Sequence, residues 1–448
     1  MRRSRVRHKW WSILTLGLID RRQPRLSLFT VLLNALSLAA VLDFLYRGEI
    51  FHQSQELSFA RVGYVDESSS RVVLRAPSQF PTHVEMKLSL ADSSLISSQV
   101  IKVSQTEDFT ATYTFNGLNP DTEYLYTTNA SHAGSFKTAS KTPKQWSLAS
   151  TSCIKPFYPY NPLSHGLRVK GFEHLSDYYS GDPFDMMLFL GDFIYIDLPV
   201  PYGWSKEHYR RTYRQVYASP SWSPALRAVP WVHVYDDHEI INDYYASDGE
   251  EGLYKSAMAP FHEYQGAANP SSVFGASKTH FTFEKGDVAF FVLDTRRYRS
   301  NQGLADDSHK TMLGLEQRTD LEKWLAKEKK WKVVVSSVPF TQNWQGPDKN
   351  DSWAGYLWER NYILDKMKAT EGVIILSGVS NPNILIYAFI AFPQRVSSLF
   401  ASRGRCYFSS GRDPWFSDSV TSSNTNRRIA TSTPQPSFQL TLTLRGPS

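Results

Sequence analysis

Cysteine is nearly absent from this chain: Cys153 and Cys406 are the two in 448 residues. A disulfide framework is therefore excluded as the source of stability, and the chain must fold by burying apolar surface. Its 41% hydrophobic content, with 26 Phe, 24 Tyr and 12 Trp, supplies that surface. The length points to roughly two to three domains. A free thiol such as Cys153 then needs a use: burial, pairing with Cys406, or metal ligation.

An excess of positive charge is lacking outside one segment. The chain has a net charge of +6 and a pI near 9.0, yet Arg2, Arg3, Arg5, Arg7, Lys9, Arg21, Arg22 and Arg25 fall in the first 25 residues against Asp20 alone. That segment carries +7, which leaves −1 for everything after it. A basic pI confined to one tail is not a phosphate-backbone footprint, so no nucleic-acid binding is implied. Charge also thins at the other end. The last His is His309, the last Lys is Lys368, the last Glu is Glu371, and beyond residue 379 the acids are Asp413 and Asp418.

The basic tail leads into "LSLFTVLLNALSLAAVL", residues 26–42, which carries no charge. This is the lower limit of a membrane-spanning helix. Basic residues before it and almost none after it put the N-terminus in the cytoplasm and the body in the lumen or outside the cell. A cleaved signal peptide with Ala39 and Ala40 near its cleavage site is the competing reading, but a 25-residue leader is long for that. The expected layout is a cytoplasmic tail at 1–25, a single-pass anchor at 26–46 and a connector to about 57. Sequons at Asn129 and Asn350 are compatible with that topology.

From 57 to 139, "RVVLRA", "HVEMKLSL", "TATYTF" and "TEYLYTTN" alternate apolar and polar residues between turns, the pattern of a small all-β sandwich. "GLNPDTEYLY", with Tyr124 and Tyr126 at period two, resembles the fibronectin type III family, in which such a tyrosine ties a corner. "KTASKTPKQ" reads as a linker. Beyond it, "WSLAST", "FDMMLFLG", "WVHVYD", "VAFFVLD", "KVVVSS" and "GVIILSG" are continuous apolar runs of buried-strand length, with helical stretches such as 315–330 between them. An α/β layered domain is expected over 146–378. Each run ends in polar residues: Cys153, Asp192, Asp236 and Asp237, Asp294, Ser336 and Ser337, then Gly378. Strand ends of that kind gather on one edge of an α/β sheet, where ligands bind.

A lone Gly-Asp caps a turn, but Asp192 and Tyr195 three residues apart after a buried strand can meet one cation. Tyrosinate is a hard oxygen donor that suits ferric iron, and Cys153 would add a thiolate. In "DDHEIIND", Asp236 and Asp237 repel unless a cation or proton relieves them, and a divalent cation would fix both. Asn242 offers a neutral oxygen of the kind calcium sites use. His238 can donate a proton to a leaving oxygen or bind an anionic substrate. "YRRTYRQ" brings Arg210, Arg211 and Arg214, one of which could fork onto a phosphate. Two metal clusters sharing Asp192 suit hydrolysis of a phosphate ester.

The ordered series Ser152-Cys153, "GDFIY" from Gly191, "YRRTYR" from Tyr209, "DDHE" with Asn242, and "LDTRRYR" from Leu293 resembles the PhoD-like (alkaline phosphatase D) metallophosphatases. "SSVPFTQNW" and "DSWAGYLWER" look like later segments of that family. Any one motif is weak, but the series in order is specific. The resemblance implies a β-sandwich metallophosphatase core flanked by helices (αββα) over 146–378, preceded by the small sandwich and the N-terminal membrane helix. It also implies hydrolysis of phosphomonoesters or phosphodiesters and an Fe(III)–Ca(II) type of site. Carried over, Cys153 and Tyr195 are iron ligands and Asp192 is the bridging carboxylate. Asp237 and Asn242 belong to the second metal, and Arg210 or Arg214 touches phosphate.

The pattern breaks after Gly378. The family continues Asp-Arg-His-Glu there, whereas this chain reads "SGVSNPNILIYAFIAFPQR". Val379 stands where the Asp would be, and no His follows. Residues 379–448 are rich in Ser and Thr, with seven Arg and two acids, and are expected to be poorly ordered beyond about 395. So abrupt a shift reads as a change of frame or a retained intron, which a full-length transcript would test. Three readings follow: a membrane-anchored phosphatase or phosphodiesterase; a relative lacking its C-terminal metal ligands and acting at most as a binding module; and a purely adhesive surface protein using the β-sandwich, which the density of strand-end acids disfavours.

Overall fold

The computed structural model describes residues 12–13, 17, 19–77, 82–143, 145–246, 251–329, 331–342, 349–378 and 440–445. Helix α1, Pro24–Phe51, opens on a proline in its first turn, where the missing N–H costs nothing. It runs well past the expected anchor into the expected connector. Two features carry it on: Asp43 and Arg47 pair one turn apart at 2.7 Å, and the last turns bond to the body of the protein. Leu28, Phe29, Leu32, Leu36, Leu38 and Val41 are exposed along it. By length and composition α1 can cross a membrane, a test that a signal sequence also passes.

The predicted all-β sandwich follows. One sheet holds β1 (Phe59–Val65), β2 (Ser69–Arg75) and β5 (Thr110–Asn116) in the order β1-β2-β5. The other holds β3 (His83–Leu90), β4 (Leu95–Lys102), β6 (Glu123–Thr128) and β7 (Ala133–Lys137) in the order β4-β3-β6-β7. Period-two alternation sets the register: Val84, Met86 and Leu88 of β3 face inward onto Val62, Val72, Leu74 and Phe115. The Tyr124 hydroxyl accepts the Asn119 N–H at 2.8 Å and ties the turn before β6.

Two further sheets form the inner layers of the larger unit. The first comprises β8 (Gln145–Thr151), β9 (Met186–Leu190) and β10 (Trp231–Val234), all parallel, with β15 (Leu440–Arg445) antiparallel to β8. The second comprises β11 (Phe281–Lys285) antiparallel to β12 (Val288–Val292), which continues in parallel through β13 (Trp331–Ser336) and β14 (Val373–Ser377). Apart from β15, the expected tail at 379–448 lies outside the described residues.

Both faces of each sheet are covered, which explains the unbroken apolar runs. Leu148, Met186, Leu188, Leu190, Val232 and Val234 meet Phe283, Phe290, Val292, Val333, Ile374 and Leu376 between the sheets. Full burial of each such side chain stabilises by about 1.5–3 kcal/mol. The alternate residues face helices. Met187 and Phe189 pack on α2 (Lys170–Gly181), α3 (Lys206–Tyr217), α4 (Pro224–Ala228) and α5 (Glu251–Tyr264). Phe291, Val334 and Ile375 pack on α6 (Gly314–Leu325) and α7 (Leu357–Lys368). The outcome is the αββα arrangement expected from the sequence.

The sandwich is fastened to this unit by a buried charge cluster. Asp108 takes Arg75 on one oxygen and Arg214 of α3 on the other, each at 2.8 Å, and the Tyr264 hydroxyl of α5 as well. Close backbone contact at the seam requires Gly63, since a Cβ there would lie 2.6 Å from that of Ala268.

Candidate metal centre

Strands β8, β9 and β10 run in parallel, so their C-terminal ends lie side by side, and the chemically active residues sit just beyond them. Gly191 holds a φ of +96°, and a Cβ on it would meet that of Asp236 at 2.5 Å. Only glycine allows the β9 and β10 ends to touch in this way. Cys153 and Asp192, the residues that point into the site, both adopt left-handed backbone, with φ of 60° and 57°. They are laced together by the Cys153 N–H on Gly191 O (3.2 Å) and the Ile154 N–H on Asp192 O (3.0 Å).

Glu239, fully buried, fixes both turns. Its carboxylate accepts the backbone N–H of Asp192 at 3.0 Å, Phe193 at 2.6 Å and Asp236 at 2.7 Å. Burial pushes its pKa up to about 7 despite those three donors.

Side chains then converge. Cys153 Sγ lies 3.2 Å from Asp192 Oδ2, and the Tyr195 hydroxyl reaches the same oxygen at 3.2 Å. One oxygen each of Asp192 and Asp237 and a ring nitrogen of His238 lie within 4.8 Å of one another. The other oxygen of Asp192, Oδ1, is buried with no hydrogen-bond partner among the described residues. Burial raises the pKa of Cys153, Tyr195 and Asp192 well above their ordinary values; the Asp192 charge raises the first two further. Asp237 and its acidic neighbours raise Asp192, against the lowering effect of His238. A cation reverses all of these trends. Thiol, phenol, carboxylate and an orphaned carboxylate oxygen in one partly buried space are therefore a donor set that fits a metal ion.

His238 lies tilted against Tyr195 with ring centres 4.2 Å apart, and its Nδ1 bonds Asp197 at 2.8 Å. Burial lowers its pKa, but the charges of Asp237 and Asp192 and the Asp197 hydrogen bond outweigh that and bring it to about 10. Lys155 donates to Leu198 O at 2.5 Å, and its ammonium lies 5.8 Å from the centre of the Tyr195 ring.

One expectation is corrected here: Asp236 and Asp237 do not turn together onto one metal. The cation that relieves them is the guanidinium of Arg296, fully buried. It forks onto Asp236 at 2.6 and 3.0 Å, reaches Asp237 at 3.2 Å, and forks onto Asp351 at 2.6 and 2.7 Å. The Ser337 hydroxyl also donates to Asp236 at 2.8 Å, so that carboxylate is committed away from Asp192. Burial would raise Asp237, but Arg296 first, then His238 and the Asp243 N–H, hold it below the usual carboxylate range. A second acidic group, Asp237, Asp243 and Asp351, also lies within 4.8 Å.

Cys153, Asp192, Tyr195, Asp237 and His238 are thus brought together. Asn242 is exposed, and its backbone N–H donates to Asp197 at 2.6 Å. Arg210 and Arg214 lie at the seam with the sandwich: Arg210 forks onto Glu263 at 2.6 and 2.8 Å, and Arg214 bonds Asp108 and Glu207. Both guanidinia are already neutralised by acids. Sequence reasoning gave no role to Glu239, Asp197, Arg296 or Asp351. Glu239 sits inside the quoted "DDHE" and Arg296 inside "LDTRRYR", but apart from the Asp236 N–H on Glu239 the partners named above are too distant in the chain for spacing to reveal them.

The end of β14 reaches the same edge. A Cβ on Gly378 would lie 2.2 Å from Ser337 O and 3.2 Å from Leu190 O, so the chain leaves β14 against the residue that precedes Gly191 and Asp192.

The profile of the PhoD-like phosphatase family matches residues 148–380. Alkaline phosphatase D of Bacillus subtilis (strain 168) is 26% identical over 343 residues, which cover 64% of this chain and 56% of that protein. The chain therefore spans little more than half the length of that relative. A solved structure of PhoD matches with a TM-score of 0.60 at 21% identity, covering 72% of this chain and 71% of that one, a likeness of fold.

Proposed function

Because the chain belongs to the PhoD-like phosphatase family, we propose that it is a phosphoesterase that hydrolyses phosphate mono- or diesters at the ends of β8, β9 and β10. The observation that supports this most is the convergence of Cys153, Tyr195, Asp192, Asp237 and His238 in one partly buried space. In this reading Cys153, Tyr195 and Asp192 would hold an iron, and Asp237 and Asn242 would serve a second cation such as calcium. Metals held there would activate water and neutralise phosphate oxygens.

The chain's own residues do the rest. Glu239 holds the two turns at a fixed spacing, so the ligands need no rearrangement. Asp197 occupies Nδ1 of His238 and leaves Nε2 to give a proton to the leaving oxygen. Lys155 supplies positive charge beside Tyr195 for an anionic substrate. Turnover of p-nitrophenyl phosphate and its bis-ester by metal-loaded protein is the expected result. A folded protein with bound metal and no turnover of either would reject the reading.

A second reading, an inactive relative, is favoured by one observation. Gly378 packs against the site, and the next residue is Val379, where the family pattern has an acid. Metal analysis separates the two: near-stoichiometric metal supports the enzyme, and a purified folded chain without it supports the inactive relative.

We also propose that α1 anchors the protein in a membrane, with the N-terminus cytoplasmic and the site on the opposite side. The uncharged segment at 26–42 and the basic tail before it support this.

A further inference from the structure

The last turns of α1 are rigidly docked onto the αββα unit, and they dock onto the two loops that carry the candidate metal ligands. Arg47 donates to Ser164 O and Pro162 O, each at 3.0 Å, and its guanidinium lies 4.9 Å from the Phe157 ring centre. Asp43 accepts the Tyr160 hydroxyl at 3.1 Å, and Phe44 meets the Tyr160 ring edge-on at 5.5 Å. These partners follow Cys153 by a few residues. From the other side, the Tyr202 hydroxyl bonds Leu45 O and its ring meets Tyr46 at 6.2 Å. That loop leads back through Leu198 to Tyr195, and Lys155 braces the two loops by its bond to Leu198 O. On α3, Gln215 and Arg211 hold Gly48 and Glu49. The helix is therefore clamped from three sides and is not a leash.

The surface around this clamp has an unusual make-up. Leu163 is 94% exposed, and Tyr158, Leu198 and Tyr46 are each more than 40% exposed. Tyr158 and Leu163 share a loop with Tyr160, and Leu198 lies on the loop of Tyr202, the two tyrosines that touch the helix end. Tyrosine is enriched where protein meets the headgroup level of a bilayer, because its ring is apolar and its hydroxyl polar. The spacing agrees. Residues 26–42 rise about 25 Å, close to the ~30 Å of a bilayer's hydrocarbon core. Asp43, the first charge after them, is the residue that Tyr160 grips.

We propose that the loop at 157–164, together with Leu198 and the end of α1, is a platform resting on the phospholipid bilayer that α1 crosses, and that it holds the Cys153–Tyr195 edge of the protein at a fixed, short distance from that surface. The proposal rests on the anchor reading of α1 but goes beyond it, since an anchor on a loose linker would leave the site free to point anywhere.

The test uses the full chain reconstituted into phosphatidylcholine vesicles, with a photoreactive amino acid replacing Leu163 in one preparation and Glu371 in another. Glu371 is exposed just before β14, at the opposite end of the strands. Flotation with the vesicles, plus a lipid adduct from position 163 several-fold above that from 371, is expected. Flotation with equal adducts, or none at 163, overturns the platform while leaving the anchor intact. Failure to float overturns the anchor, and the platform with it. Neither outcome depends on turnover, so failure of the phosphoesterase reading is scored separately.

Discussion

Replacing Arg296 by Met removes the one guanidinium that Asp236, Asp237 and Asp351 share while keeping most of the side-chain volume. The three acids are not equally affected. Asp351 keeps Arg299 and the Gln302 amide, and Asp236 keeps the Ser337 hydroxyl, but Asp236 and Asp237 lose their only close guanidinium among the described residues. Breaking a buried pair by removing one partner costs about 3–5 kcal/mol. For a domain of this size each kcal/mol moves the melting temperature by about 2–4 °C, so the fall should be roughly 6–20 °C. Arg296→Lys should lie between, because one ammonium cannot fork onto Asp236 and Asp351 together. The sign of the pH dependence follows from the stranded acids. Without Arg296 their folded-state pKa values rise, the folded variant binds extra protons, and the deficit against the parent shrinks on acidification. Calorimetry in matched buffers between about pH 8 and 5, with circular dichroism to verify folding, measures both effects. A fall of less than about 2 °C, or a deficit that widens as pH drops, would refute the reasoning.

Further outcomes are expected elsewhere. Asp108→Asn should destabilise the seam by about 3–5 kcal/mol at neutral pH, by stranding Arg75 and Arg214. Burial raises the Asp108 pKa, but Arg75, Tyr264 and Arg214 hold it below 3.8 in the folded state. Its contribution is therefore present above that value and lost below it, and denaturation curves of variant and parent should converge on acidification below about pH 4. Glu239→Gln presents one acceptor where two oxygens serve three N–H groups. Each N–H left unsatisfied costs about 1–3 kcal/mol, and bound metal measured by mass spectrometry should fall with stability. If iron sits on Tyr195, the loaded protein absorbs visible light through a phenolate-to-iron transition. Tyr195→Phe should remove that band, and an unchanged spectrum would exclude the ligand.

The layered fold was legible because strands buried on both faces must be apolar at every position. "MMLFL" and "VAFFV" can scarcely be anything else in a chain of this length. The strand-end residues were legible for a related reason: Cys153, Asp192 and Asp237 interrupt such runs with groups that are costly to bury. The charge network behind them was not, because Arg296 meets Asp236 across 60 positions and Asp351 across 55. Arg210 and Arg214 illustrate the same limit. A helix rich in arginine has one sequence whether its partner is a phosphate or a carboxylate on a neighbouring layer. Asp108, which claims Arg214, lies in a different sheet system altogether.

The left-handed backbone at Cys153 and Asp192 gives the candidate site a cost in stability. Side-chain-bearing residues cost about 1–2 kcal/mol there relative to glycine, least for Asp and more for Cys. Glycine at either position would relieve that strain with no change in backbone path. What the strained turns secure is the placement of a thiol and a carboxylate within reach of each other at two adjacent strand ends.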